Sequence, residues 1–239
     1  MKNIDTNFYK VQSNERRDRI HCIFSNIAWR YDLINDLISF GLHRLWKWRL
    51  IKKANIYSGK IFLDLAGGTG DVASKIIGSY SQVVVCDSSL KMMKYGQQRP
   101  NTDHISWLAG EGEAIPLADD SVDTLTISFG IRNMTNLEIA ISEMYRVLKS
   151  GGHFFCLEFS KPHWLIRNPY NFFSIFIIPR FGNWITKTPG AYTYLIDSIR
   201  CFPNQDVMVK LFRQAGFNDV QYYNLSLGIV CIHTGTKIL

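Results

Sequence analysis

From residue 61 onward, short apolar runs alternate with longer stretches whose apolar positions recur at helical spacing. The runs IFLDLA, VVVCD, HISWLA, DTLTISF and HFFCLEF read as strands. They are apolar on both faces and separated by helical patterns, which predicts a parallel sheet covered on both sides. The helical patterns begin near Asp71, Leu90 and Asn136, and the last ends at YRVLKSGG, a basic final turn followed by glycines. Upstream, residues 13–56 read as helical and basic; downstream, residues 165–200 read as a helical insert. A helix over Gln205–Ala215 is closed by Gly216, and the strands DVQYYNL and GIVCIHTGT follow. A two-residue turn at Ser226-Leu227 would pair them as an antiparallel hairpin, although Ser-Leu is a poor turn pair. The expectation is one α/β domain over residues 1–239, with an N-terminal helical extension (13–56) and a helical lid (about 165–200).

Composition narrows the class. Hydrophobic residues make up 46% of the chain, ample for a packed core. The net charge of +7 favours anionic partners such as a phospholipid surface, nucleic acid or an acidic metabolite, without choosing among them. Five scattered cysteines with no CxxC point to a reduced, cytoplasmic protein. The six histidines form no HExxH or similar spacing, so no metal is expected. The greasiest stretch, FFSIFIIP from Phe172 to Pro179, is too short to span a bilayer.

The chemistry centres on LDLAGGTGD, residues 63–71. Gly68-Thr69-Gly70-Asp71-Val72-Ala73 satisfies G-x-G-x-x-G/A, which suits a nicotinamide cofactor as well as S-adenosylmethionine. Asp64 and Asp71 flank the turn; they would repel a pyrophosphate and suit a sulfonium ligand with a free ammonium. Alternatively they serve only as a strand-end acid and a helix N-terminal acid. At Gly67 and its neighbours a Cβ would block the cofactor's amino-acid end. Asp87, ending the next strand, is placed to accept from both ribose hydroxyls, and Glu111-Gly112 to reach the adenine edge. Ser128 falls at the carboxyl end of the fourth strand, where open α/β sheets bind ligands. The balance favours S-adenosylmethionine.

The stretches YDLINDLISFGLHRLWK, LDLAGGTGD, SFGIRN, LEFSKP and YLIDSIRCFPNQ together resemble the ubiquinone/menaquinone biosynthesis C-methyltransferase family (UbiE/MenG) over most of the chain. The resemblance implies a class I S-adenosylmethionine-dependent methyltransferase fold, Rossmann-like, with a mostly parallel seven-stranded sheet ending in an antiparallel hairpin. It also implies methylation of a ring carbon in a prenylated demethylmenaquinol or methoxy-benzoquinol, and cofactor contacts at Thr69, Asp87, Glu111, Gly112 and Ser128. This chain departs from the family's usual pattern at Glu111-Gly112, at LADDSVD and at KTPGAYTYL in the lid.

Carbon methylation needs a quinol that has lost a ring-hydroxyl proton. Arg132 and Asn133, just past Ser128, are the expected catalytic residues: Arg132 lowers the quinol pKa electrostatically and Asn133 orients a ring oxygen. The alternative for Arg132 is a structural pair with Glu158 at the neighbouring strand end. Tyr31, Asp32, Asn35 and His43 lie on the segment that the family folds over the pocket, where His43 reads more as a solvated or core group than as a base. HRLWKWRLIKK, with Trp46 and Trp48 among five Lys/Arg residues, reads equally as an interfacial helix or an ordinary amphipathic one. The membrane-resident substrate favours peripheral contact at the inner face of the cytoplasmic membrane. No nucleic-acid partner is expected, and self-association is open. The competing readings are an O- or N-methyltransferase, an RNA methyltransferase, and a non-catalytic quinone- or lipid-binding protein on the same fold.

Overall fold

The computed structural model describes residues 35–36, 39–55, 57–76, 80–172 and 191–238. Seven strands form one sheet: β1 (Gly59–Leu65), β2 (Tyr80–Asp87), β3 (Ile105–Ala109), β4 (Val122–Ser128), β5 (Leu148–Phe159), β6 (Asn218–Leu225) and β7 (Val230–Thr236). Their order is β3-β2-β1-β4-β5-β7-β6. The pairings among β1 to β5 are parallel; β7 runs antiparallel to both β5 and β6. This is the mostly parallel sheet with an antiparallel C-terminal hairpin that was expected, in a class I methyltransferase arrangement.

The helices are α1 (Leu42–Ala54), α2 (Leu90–Gln97), α3 (Leu137–Val147), α4 (Trp164–Phe172), α5 (Ala191–Cys201) and α6 (Gln205–Gln214). Ser89, Asn136 and Asn204 cap α2, α3 and α6: each side chain accepts from the backbone N–H three residues on. The side chains of the central strands are buried on both faces. On one face Leu63, Leu65, Leu125 and Phe154 meet Ile141 and Met144 of α3 and Met208 and Phe212 of α6. On the other, Phe62, Val83, Val85 and Phe155 meet Trp46, Leu50 and Ala54 of α1. Strand alternation puts Asp64 on the face of Phe62, under α1.

Several boundaries differ from the sequence expectation. The helix expected near Asp71 is a single 3-10 turn, Ala73–Lys75, among the described residues. That face is already occupied by α1, whose Trp46, Leu50 and Ala54 cluster with Val72, Ala73 and Ile76. The helix before β5 stops at Val147, and Leu148 begins a strand that carries on through both glycines. The hairpin exists, but Ser226–Gly228 forms a 3-10 turn with φ positive at Ser226, Leu227 and Gly228. A longer connection suits the poor turn pair better than a two-residue loop does. Of the expected N-terminal helical segment, residues 13–34, 37–38 and 56 lie outside the described residues, as do residues 173–190 of the lid.

Candidate functional site

Four loops gather at the carboxyl ends of β1 to β4, around the β1/β4 boundary where the strand order reverses. Ala66, just past β1, and Phe129, just past β4, are non-glycine residues with φ of 50° and 56°. Such left-handed conformations cost about 1–3 kcal/mol each and concentrate at functional sites.

Asp64 is the buried acid of the first loop, 1% exposed. Its Oδ1 accepts from Thr126 Oγ1 at 2.8 Å, while Oδ2 has no hydrogen-bond partner. Burial pushes this carboxyl up to about 7. A Cβ at Gly67 would come within 2.8 Å of that same oxygen, so the glycine leaves Oδ2 uncovered. Asp71 differs from the reading that made it a second free acid. Its Oδ2 lies 3.0 Å from Lys47 Nζ and its Oδ1 2.7 Å from Lys75 Nζ. Burial opposes its ionisation, yet the two ammonium groups hold it well below the usual carboxylate range. Its charge is already balanced, so the acidity the turn offers to a cation comes from Asp64.

Thr69 is buried, and its hydroxyl oxygen accepts from Arg99 Nη1 at 2.9 Å. That contact fixes the turn against the end of α2. Asp87 Oδ2 accepts from Gly68 N and Oδ1 from Ser89 N, each at 2.8 Å. Both bonds hold the carboxylate rigid. The Gly110 N–H donates to the Asp87 carbonyl at 3.2 Å, which sets Glu111 and Gly112 beside the end of β2. A Cβ at Gly112 would meet Met134 Sδ at 2.5 Å, so this loop closes on the one after β4.

After β4, Ser128 Oγ is buried without a hydrogen-bond partner. Arg132 shows the structural pairing that was the alternative to direct action on a substrate: Nη1 donates to Glu158 Oε1 at 2.7 Å and to the Phe129 carbonyl at 2.6 Å. Burial pushes the Glu158 carboxyl up, against the pull of Arg132. Asn133 Oδ1 accepts from Tyr194 Oη at 3.0 Å, which ties the lid helix α5 to the turn after β4. Tyr170 on α4 is half-buried near Arg132 and Arg200, with its phenol pushed up to about 12 by burial.

The structure thus brings Gly67, Thr69, Asp87, Glu111, Gly112, Ser128, Arg132 and Asn133 to one end of the sheet. His43 is buried, with Nδ1 3.0 Å from Ser39 Oγ and its pKa lowered to about 4 by burial, so it is a neutral core group. Trp46 is also a core residue: it packs on Phe129 and Phe159, and its indole N–H donates to Ser226 Oγ at 2.9 Å. It is therefore held in the core, whereas Trp48 is 54% exposed. Tyr31 and Asp32 lie outside the described residues. Sequence reasoning missed Lys47, Arg99 and Tyr194 as partners of the site, because each reaches it from a segment outside the four loops. Among the described residues no three His, Cys, Asp or Glu side chains are grouped to hold a metal ion, and no helix is long and apolar enough to cross a membrane.

The chain as a whole is similar to known proteins. The ubiE/COQ5 methyltransferase family matches residues 10–237. The chain is 51% identical to the ubiquinone/menaquinone biosynthesis C-methyltransferase UbiE of Rubrivivax gelatinosus, over 96% of this chain and 91% of that protein. It is 41% identical to the mitochondrial 2-methoxy-6-polyprenyl-1,4-benzoquinol methylase of Oryza sativa subsp. japonica, over 97% and 87% respectively. Among solved structures, a SAM-dependent methyltransferase from Thermotoga maritima superposes with a TM-score of 0.66 at 20% identity, covering 90% of this chain and 98% of that one, which shows the shared fold. The chain is a methyltransferase and belongs to the ubiE/COQ5 methyltransferase family.

Proposed function

We propose that the protein methylates a ring carbon of a prenylated quinol, demethylmenaquinol or 2-methoxy-6-polyprenyl-1,4-benzoquinol, with S-adenosylmethionine as methyl donor. The observation that carries the cofactor assignment is the orphaned Oδ2 of Asp64, buried beneath Gly67. An unpaired carboxylate at such a depth calls for a cation. The cofactor's ammonium supplies one, whereas a pyrophosphate would be repelled. The residues present fit the rest of the ligand: Asp87 for the ribose hydroxyls, Glu111 and Gly112 for the adenine, and the backbone around Thr69 for the amino-acid end. When bound, the cofactor supplies an electrophilic methyl group.

The chain's own contribution is to orient the ring and stabilise its deprotonated oxygen. Asn133, with Oδ1 held by Tyr194, has its amide donors left for a ring oxygen. Ser128 Oγ, buried without a hydrogen-bond partner, is the cofactor contact proposed after β4. Arg132 shares its charge with Glu158, so its effect on the quinol is a balanced field together with a rigid 129–133 turn. Helix α5 reaches this end of the site through the Tyr194–Asn133 hydrogen bond. No step needs a metal.

Peripheral membrane contact belongs to the same proposal. The outer face of α1 presents Leu45 and Trp48, 45% and 54% exposed, interleaved with Arg49 and Lys52, beside Phe40 at 75%. Apolar and basic residues on one helix face suit an anionic headgroup layer, which overlies the hydrocarbon in which a polyprenyl tail resides. Calorimetry with S-adenosylhomocysteine and with NADH tests the cofactor. Binding of the first alone is expected; binding of NADH alone would overturn the reading.

A further inference from the structure

The loop after β3 meets the loop after β4 through a tight turn. The Ala114 N–H donates to the Glu111 carbonyl at 3.2 Å, which closes a four-residue turn with Gly112 and Glu113 at its centre. Gly112 lies so near the segment after β4 that a Cβ there would meet Met134 Sδ at 2.5 Å. Glu113 reaches the same segment with its side chain: Oε1 accepts from the backbone N–H of Thr135 and, at 3.2 Å, from that of Asn136. Those two residues stand between Asn133 and the first turn of α3. An acid at a helix start gains from the helix dipole wherever it comes from. Glu113 comes from the neighbouring loop, so its two hydrogen bonds also join one loop to the other. The remainder of the loop after β3 is held farther along α3. The Ile115 N–H donates to Glu143 Oε2 at 2.9 Å, and Arg146 donates to the Ile115 and Leu117 carbonyls, each at 2.8 Å. These bonds keep the loop on the domain when the Glu113 link is removed.

We propose that Glu113 is a positioning residue for methyl transfer: it locks the turn that receives the cofactor's adenine to the turn that presents Asn133 to the ring. This rests on the S-adenosylmethionine and quinol reading above. Methyl transfer needs donor and ring carbon in line and about 3–3.5 Å apart, so a shift of one loop against the other costs rate even with both ligands bound. Glu113 acts by reach rather than by charge. Two N–H groups require an acceptor oxygen at the place where Oε1 lies, and the amide oxygen of a glutamine can stand there too. An aspartate keeps the charge but is one methylene too short.

The test compares the native protein with Glu113→Gln, Glu113→Asp and Glu113→Ala, thermal melts identifying the folded variants. Affinity is measured by calorimetry for S-adenosylhomocysteine and by displacement for S-ribosylhomocysteine, the same ligand without its adenine. Turnover is measured at saturating S-adenosylmethionine with a reduced, prenylated demethylmenaquinol. Glu113→Ala and Glu113→Asp are expected to bind S-adenosylhomocysteine about tenfold more weakly, the size of one lost charge-assisted hydrogen bond. They bind S-ribosylhomocysteine as the native protein does, and their kcat falls about tenfold. Glu113→Gln stays within about threefold of native in all three measurements. Glu113→Asp carries the same prediction if Glu113→Ala does not fold. Equal losses for the two ligands would mark a general loosening and overturn the inference. So would a Glu113→Gln as impaired as Glu113→Asp, or a kcat fully restored by saturating donor. A native protein that binds no S-adenosylhomocysteine, or methylates no quinol, fails the reading above; a native protein that does both while no variant differs from it overturns this inference only.

Discussion

Glu158→Ala removes the carboxylate that Arg132 meets at 2.7 Å in a site where the two residues are 6% and 2% exposed. Breaking a buried ion pair from one side costs about 3–5 kcal/mol, because the remaining charge stays in the interior. The substitution also deprives the Phe159 N–H of the oxygen it donates to at 2.8 Å. Against a total stability of about 5–15 kcal/mol the loss is severe. At about 2–4 °C per kcal/mol for a chain of this size, it lowers the melting temperature by about 10 °C. Urea unfolding followed by circular dichroism measures it. Replacing both partners, Arg132→Leu with Glu158→Leu, recovers much of the stability because no charge is left stranded. Function separates the two ends of the site: the pair braces the turn that presents Asn133, while Asp64 and Asp87 stand on other strands. S-adenosylhomocysteine affinity therefore survives in folded Glu158→Ala protein, and turnover falls. A stability change below about 1 kcal/mol would refute the reasoning, since it is the size expected of a solvated surface pair.

The remaining predictions concern other parts of the site. The Asp64 carboxyl, at about 7 when folded and near 3.8 when unfolded, binds its proton more tightly in the native state. Its contribution to apo stability is complete below about pH 4 and is lost as pH rises through about 7, at up to about 1.4 kcal/mol per pH unit; Asp64→Asn should remove this slope from denaturation curves, and an unchanged slope would assign it to another group. Tyr194→Phe deletes the hydroxyl that donates to Asn133; a hydrogen bond worth about 1 kcal/mol predicts a roughly fivefold fall in kcat with cofactor affinity unchanged, and an equal loss of both would contradict a ring-orienting role. The two tryptophans of α1 should part company: Trp46→Ala costs about 3–5 kcal/mol of stability, whereas Trp48→Glu leaves unfolding unchanged and lowers co-sedimentation with anionic vesicles, and vesicle binding equal to that of the native protein would remove Trp48 from the contact.

Much of the fold was legible because it follows from periodicity. Strands apolar on both faces, such as VVVCD and DTLTISF, can settle only in the middle of a covered parallel sheet. The final pair of strands announced the antiparallel edge. What failed was competition for a face: Asp71 looks like a helix start, but α1, far upstream, already covers that side of β1. The acids show the same limit. Asp64 and Asp71 read alike in the sequence, yet one has an oxygen without a hydrogen-bond partner and the other is shared by two lysines. The difference depends on Lys47, which no local pattern places beside the turn. Trp46 and Trp48 likewise sit two residues apart on one helix, and only its docking direction decides that the first is core and the second surface.

The account turns most directly on where the methyl group goes. S-adenosylmethionine carrying an isotope-labelled methyl should be incubated with the purified protein and a prenylated demethylmenaquinol kept reduced, and the product read by carbon NMR and mass spectrometry. The label is predicted on a ring carbon, with none transferred when the ring is supplied as the oxidised quinone. Label on a ring oxygen, or equal transfer to the oxidised ring, would contradict the account.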